Sequence, residues 1–195
     1  MKNIIFDLGG VVFARDRSKC SPEFVEFWSF LRESPMPHCW VEYDRGTMTL
    51  DEVTDALVEL RGKSREVCCE MVRKAIDMQE ERRPTAGLIA DLKAAGYRLY
   101  VLSNMSREFI DFLRQKPVYG FFDGEVVSCE ELTVKPERRI YDILLSRCGL
   151  DAGESMFVDD RRENVEAARA LGITPFLFDA HDPETSCARL REILL

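Results

Sequence analysis

The sequence predicts an α/β protein in which a doubly wound parallel sheet carries a small helical insert after its first strand. Three observations predict it. Short runs at Lys2–Phe6, Tyr97–Leu102 and Ser155–Val158 are dense in apolar residues and have the length of strands buried on both faces. From residue 84 onward, strands alternate with amphipathic helices, the pattern of a parallel sheet covered on both sides. Between about residues 15 and 82 the alternation stops and helical periodicity takes over.

The first strand runs into Asp7, followed by Leu8-Gly9-Gly10. The opening segment is apolar enough to resemble a secretion leader. Asp7 in its middle and the lack of a small-residue cleavage site make it a strand instead. Three amphipathic helices are expected in the insert. Ser21-Pro22 opens the first, with Phe24, Phe27, Trp28 and Leu31 on one face. Thr49 and Glu52 form a capping box for the second, and Ser64 caps the third, whose inner side reads Val67, Met71 and Ile76. Tyr43-Asp44-Arg45-Gly46 reads as a turn, and the insert holds no convincing strand. Beyond it, Pro84–Ala95 places Leu88, Ile89, Leu92 and Ala95 on one face and stops at Gly96. Arg107–Arg114 and Pro136–Cys148 are the next helices, the latter stopping at Gly149. Glu125–Ser128 is a weaker strand, and Pro175 puts Thr174–Phe178 at a sheet edge. The expected division is residues 1–14 and 83–195 as the core, with 15–82 as the helical insert.

With 195 residues, 46% hydrophobic and 32% charged, the chain can build one core and a small accessory element. A net charge of −8 argues against nucleic acid and anionic membranes as partners. No apolar run reaches the roughly 18 residues of a membrane span, and no feature indicates a protein partner. The seven cysteines (20, 39, 68, 69, 129, 148 and 187) have no metal-ligand spacing, and two are adjacent. They read as small apolar residues carrying reduced thiols in a cytoplasmic protein. An acidic chain that handles an anion needs a bound cation or a focused cluster of donors.

In an open α/β sheet, ligands bind beyond the carboxyl ends of the strands. There the sequence places Asp7, Ser103-Asn104, Lys135-Pro136 at a helix start, and Asp159-Asp160. An aspartate can attack phosphorus and divide one hard displacement into two easier ones. Carboxylates are the hard oxygen ligands that Mg2+ prefers. A hydroxyl and an ammonium can hold the equatorial phosphate oxygens as charge develops on them.

FDLGGV, LSN, VKPERRIY and FVDDRRENVEAA, in that order, resemble the four motifs of the haloacid dehalogenase-like (HAD) superfamily, through nearly the whole chain. FDLGG with LSN resembles its branch of small sugar-phosphate phosphatases, and the insert is similar to that family's C1-type cap. The resemblance implies a Rossmann-like core with a central first strand and a Mg2+-dependent phosphatase acting on a small phosphorylated metabolite. It implies Asp7 as nucleophile and Mg2+ ligand, with the Gly9 carbonyl and Asp160 as further ligands. Ser103, Asn104 and Lys135 would bind the phosphate. Asp159 would orient metal-bound water, and Asn164 would steady that loop.

One position departs from the pattern. Most phosphatases of the superfamily carry an acid–base aspartate two residues after the nucleophile, where this chain has Gly9. Three readings stay open: an active enzyme aided by a cap residue or an easily released leaving group, a slow or inactive phospholigand-binding regulator, or a dehalogenase. The Asp159-Asp160 pair speaks against the last, since three carboxylates without a metal are costly. Arg15, Arg17, Trp40, Tyr43, Arg45 and Arg107 are candidates for substrate contact, while His38 and His181 lie outside every motif.

Overall fold

The computed structural model of the chain describes residues 1–32 and 35–195, apart from the side chains of Arg17 and Arg32. The chain opens with β1 (Asn3–Phe6) and β2 (Phe13–Arg15), then α1 (Pro22–Phe27), α2 (His38–Arg45), α3 (Leu50–Arg61) and α4 (Arg65–Asp77). It continues with β3 (Gln79–Glu81), α5 (Arg83–Ala94), β4 (Arg98–Ser103), α6 (Arg107–Leu113), β5 (Gly124–Val127) and α7 (Ser128–Glu131). The last elements are α8 (Arg138–Cys148), β6 (Ser155–Asp159), α9 (Arg162–Ala170), β7 (Thr174–Leu177) and α10 (Pro183–Leu194).

Five parallel strands form the main sheet in the order β5-β4-β1-β6-β7, so β1 is central and β7 lies at an edge. Every residue of β1 is buried because helices cover both faces. Ile4 and Phe6 point into a cluster with Leu88, Leu92, Leu113 and Leu190 from α5, α6 and α10. Ile5 points the other way, toward Ile140, Tyr141, Leu144 and Val165 from α8 and α9. This two-faced burial produces the apolar runs in the sequence. The helix stops also follow the sequence: Gly149 closes α8 at φ +59, where a side chain would be strained. Ala95, expected on the inner face of its helix, is exposed at the cap of α5.

The stretch between β2 and β3 differs from expectation in three ways. A helix occupies His38–Arg45, and Gly46 at φ +86 is its left-handed C-cap, so the expected turn is the end of α2. No side chain caps its N-terminus, which is why the sequence carries no start signal there. The strands β2 and β3 form an antiparallel ribbon pairing Phe13 with Glu81 and Arg15 with Gln79. Three residues are too few to display a period of two, and the partners lie far apart in sequence. Finally, the buried stripe of α4 is Cys68, Val72 and Ala75, with Met71 and Ile76 on its flanks. The expected caps are all present: Ser21 accepts from the Phe24 N–H, Thr49 and Glu52 cap reciprocally, and Ser64 accepts from the Val67 N–H.

Among the described residues, α1–α4 share one aromatic cluster built on Phe24, Phe27, Trp28, Trp40 and Tyr43, which Phe109 of α6 joins from the core side. Trp28 and Trp40 meet edge to face at 5.0 Å. The helical layer thus has its own apolar interior and rests on the sheet's carboxyl edge through α6 and α7.

Candidate active site

The parallel register sets Phe6 beside Val101 and Val158, so the ends of β1, β4 and β6 bring Asp7, Ser103 and Asp159 together. The Asp7 N–H donates to the Val158 carbonyl at 2.9 Å, extending the ladder by one residue and holding the carboxylate still. Ser103 Oγ donates to Asp7 Oδ1 at 2.9 Å. Lys135 Nζ lies 2.8 Å from the same oxygen and 2.6 Å from Asp159 Oδ2, and donates to the Leu102 carbonyl at 2.9 Å.

Lys135 arrives on the loop before α8, and Asn104 holds it there. Asn104 Nδ2 donates to the Lys135 carbonyl at 2.9 Å, while its Oδ1 accepts the Lys135 N–H at 2.7 Å. The side chain expected at the phosphate is therefore turned onto the lysine's main chain. Asp159 is fully buried, and besides Lys135 it accepts from the Arg161 N–H at 2.8 Å and from Asn164 Nδ2 at 3.1 Å. Both oxygens of Asp159 are engaged, and Asn164 anchors it from the first turn of α9.

Asp160 is half-buried and reaches over the loop that follows β1. A Cβ at Gly10 would stand 2.3 Å from Asp160 Oδ2, and Gly10 has φ +80, so only glycine lets the two segments approach this closely. Ligand atoms of Asp7, Asp159 and Asp160 lie within 4.8 Å of one another. Three carboxylates face one ammonium. Burial pushes the Asp7 carboxyl above its ordinary range, opposed by Lys135 and reinforced by Asp159. Burial, with repulsion from Asp7 and Asp159, raises Asp160 to about 7. Burial alone would lower the Lys135 ammonium, but Asp159 and Asp7 outweigh it and hold it above its usual value. A hard divalent cation fits this set: the donors are all oxygen and the negative charge is in excess.

The expected substrate contacts are mostly engaged elsewhere. Arg15 stacks over Phe24 and Trp28 at 5.6 Å from each ring. Trp40 and Tyr43 are buried in the helical layer, with the Tyr43 hydroxyl donating to Glu108 at 2.6 Å. Arg45 pairs with Glu137 at 2.8 Å and Arg107 with Glu130 at 3.0 Å. The side chain of Arg17 lies outside the described residues. The sequence places Asp44 in the expected turn without giving it a role; in the fold it stands near enough to Asp7 and Lys135 to feel both charges. No local signal marks it, because its neighbours in the fold are remote in the chain.

Comparison with known proteins places this architecture. The family model for haloacid dehalogenase-like hydrolases matches residues 1–172. The sesquiterpene phosphatase astK of Aspergillus oryzae is 27% identical over 195 residues, covering 99% of this chain and 96% of that protein. The D-ribitol-5-phosphate phosphatase of Bacteroides thetaiotaomicron is 26% identical, covering 90% of this chain and 91% of that protein. A HAD family enzyme from Bacteroides thetaiotaomicron, solved as its magnesium complex, superimposes with a TM-score of 0.72 at 25% identity, over 92% of this chain and 94% of that one. Strand order, strand-end carboxylates and the family match lead to one conclusion: the chain belongs to the haloacid dehalogenase-like hydrolase family.

Proposed function

We propose that the protein is a Mg2+-dependent phosphatase that hydrolyses small phosphate monoesters, sugar phosphates by preference, through an aspartyl-phosphate on Asp7. One observation carries the reading: a hydroxyl and an ammonium converge on a single buried carboxylate oxygen, Asp7 Oδ1, at 2.9 and 2.8 Å. Asp7 attacks phosphorus with its other oxygen and the ester P–O bond breaks. Ser103 Oγ and Lys135 Nζ turn to the equatorial phosphate oxygens, where charge accumulates. Asp159 and Asn164 keep the lysine placed. Asp7, Asp160 and the Gly9 carbonyl are the residues to hold Mg2+, which when bound neutralises charge between the nucleophile and its anionic target. The helices between residues 15 and 82 act as a cap over a core of 1–14 and 83–195, and a cap of this size suits a small metabolite. Seven free thiols fit work in the cytoplasm.

The two relatives named above support the substrate class, since each is a phosphatase named for a small molecule. Three clustered carboxylates favour metal-dependent phosphate chemistry over dehalogenation. Gly9 favours a second reading, a phospholigand-binding regulator with little turnover. Phosphate release from a panel of small monoesters, with and without Mg2+ and with an Asp7→Asn control, separates the two. Release that needs both Mg2+ and Asp7 is the expected result. A folded protein that binds Mg2+ yet releases nothing refutes catalysis and leaves the regulator.

A further inference from the structure

The strand-end residues supply a nucleophile and phosphate donors, but no group to protonate the departing ester oxygen. Lys135 is held as a cation between two carboxylates. Asp159 has both oxygens bonded, and Asp160 belongs with the cation. At Gly9 there is no side chain.

One further carboxyl stands by this centre, and the fold clamps it there from both sides in sequence. At the end of α2, the Tyr43 hydroxyl donates to Glu108 of α6 at 2.6 Å. Ser128 Oγ of α7 donates to the Asp44 carbonyl. Arg45 pairs at 2.8 Å with Glu137, two residues after Lys135. Gly46 meets α7 backbone to backbone, since a Cβ there would stand 2.4 Å from the Cys129 carbonyl. Four consecutive residues thus dock onto the segments that carry Ser103 and Lys135. The Asp44 side chain is half-buried between them and lies within electrostatic reach of the Ser106 N–H, Asp7, Lys135 and Arg161. Burial is the largest influence on this carboxyl; Arg161 and the Ser106 N–H oppose it, Asp7 reinforces it, and the group is pushed up to about 8. Its surroundings therefore favour the protonated form, which a proton donor to an alkoxide needs.

Resting on the phosphatase reading above, we propose that Asp44 of the helical layer is the general acid and base of this enzyme, in place of the carboxylate missing at Gly9. In the first step Asp7 forms its bond to phosphorus, the ester P–O bond breaks, and the Asp44 proton passes to the departing oxygen. In the second, water attacks phosphorus and gives a proton to the Asp44 carboxylate, the P–O bond to Asp7 breaks, and both aspartates return to their starting states with inorganic phosphate released. The assignment ties chemistry to closure of the helical layer, because the acid is present only while α2 is docked.

Asp44→Asn keeps the shape of the side chain and an acceptor oxygen but carries no acidic proton. The test compares wild type and variant, both with Mg2+, on an alkyl phosphate (a hexose 6-phosphate) and on p-nitrophenyl phosphate, whose phenolate departs without a proton. General acid loss slows phosphorylation by the alkyl ester about 10²- to 10⁴-fold, while the rapid p-nitrophenol burst remains and the aspartyl-phosphate accumulates. Gly9→Asp added to Asp44→Asn recovers alkyl phosphate turnover; Gly9 lies outside the positive-φ region, and a Cβ there meets only Met105 Cε at 3.9 Å. Equal losses on the two esters mean a positioning role and overturn the proposal, as does no loss on either. Wild-type protein that hydrolyses neither ester overturns the phosphatase reading itself, a result distinct from a variant that matches an active wild type.

Discussion

Replacing Lys135 with methionine tests how much of the fold's stability depends on the centre of the candidate site. The side chain is 1% exposed, and its ammonium touches Asp7 Oδ1 at 2.8 Å, Asp159 Oδ2 at 2.6 Å and the Leu102 carbonyl at 2.9 Å. Methionine fills a similar volume but removes the charge and all three contacts. Removing one partner of a buried ion pair costs about 3–5 kcal/mol because the remaining charge is uncompensated. The unsatisfied Leu102 carbonyl adds about 1–3 kcal/mol in isolation. Two facts limit the sum: Ser103 still donates to Asp7, and Asn164 with the Arg161 N–H still satisfies Asp159. The net expectation is a loss of about 3–5 kcal/mol. For a chain of this size, each kcal/mol lowers Tm by about 2–4 °C, so Tm should fall by roughly 6–20 °C. Thermal and urea unfolding of both proteins without Mg2+ measures it, and near-equal m-values would show that the denatured states are comparable. A loss under about 1 kcal/mol refutes the reasoning, because a surface ion pair has that magnitude and a buried one does not.

Two other outcomes follow from the same geometry. Gly10→Ala puts a Cβ 2.3 Å from Asp160 Oδ2 at φ +80. The left-handed backbone costs about 1–2 kcal/mol, and displacing Asp160 should weaken Mg2+ binding about 10- to 100-fold, as titration calorimetry can read; unchanged affinity would separate Asp160 from the cation. Stability of the metal-free protein should also depend on Asp160, whose carboxyl rises from 3.8 to about 7 on folding. Between those values the folded state binds the extra proton, so metal-free stability falls as pH rises from about 4 to about 7. Added Mg2+ reverses the trend at the upper end and binds more weakly below pH 7, where protons compete for the carboxylate. A metal-free stability that is flat or rising over that range counts against the repulsive carboxylate cluster.

Much of the fold is legible residue by residue because its signals are local. A strand buried on both faces is apolar through its middle, so the runs 4–6 and 156–158 stand out without knowledge of their partners. Caps at Ser21, Thr49 and Ser64 are made within a few residues of one another, and each appears where its pattern predicts. Asp7, Ser103, Lys135 and Asp159 converge because strand ends in a parallel sheet share one edge, so motif order alone points to the cluster.

Other features depend on contacts that leave no local trace. The ribbon of β2 and β3 pairs Phe13 with Glu81, and each strand is too short to announce itself. Asn104 has the chemistry of a ligand donor, yet its amide is committed to the main chain of Lys135 across 31 residues. Asp44 reads as one residue of a turn ending at Gly46; Ser128, 84 residues away, and the Arg45–Glu137 pair bring it to the candidate site. Periodicity and capping record what each segment does with its own backbone and its own buried face. They contain nothing about which remote side chain will arrive opposite, since that depends on how the helical layer packs on the sheet edge. Element types and the strand-end motifs were therefore present in the linear chain, whereas the docking of α2, and with it the surroundings of Asp44, emerged only when distant segments were packed together.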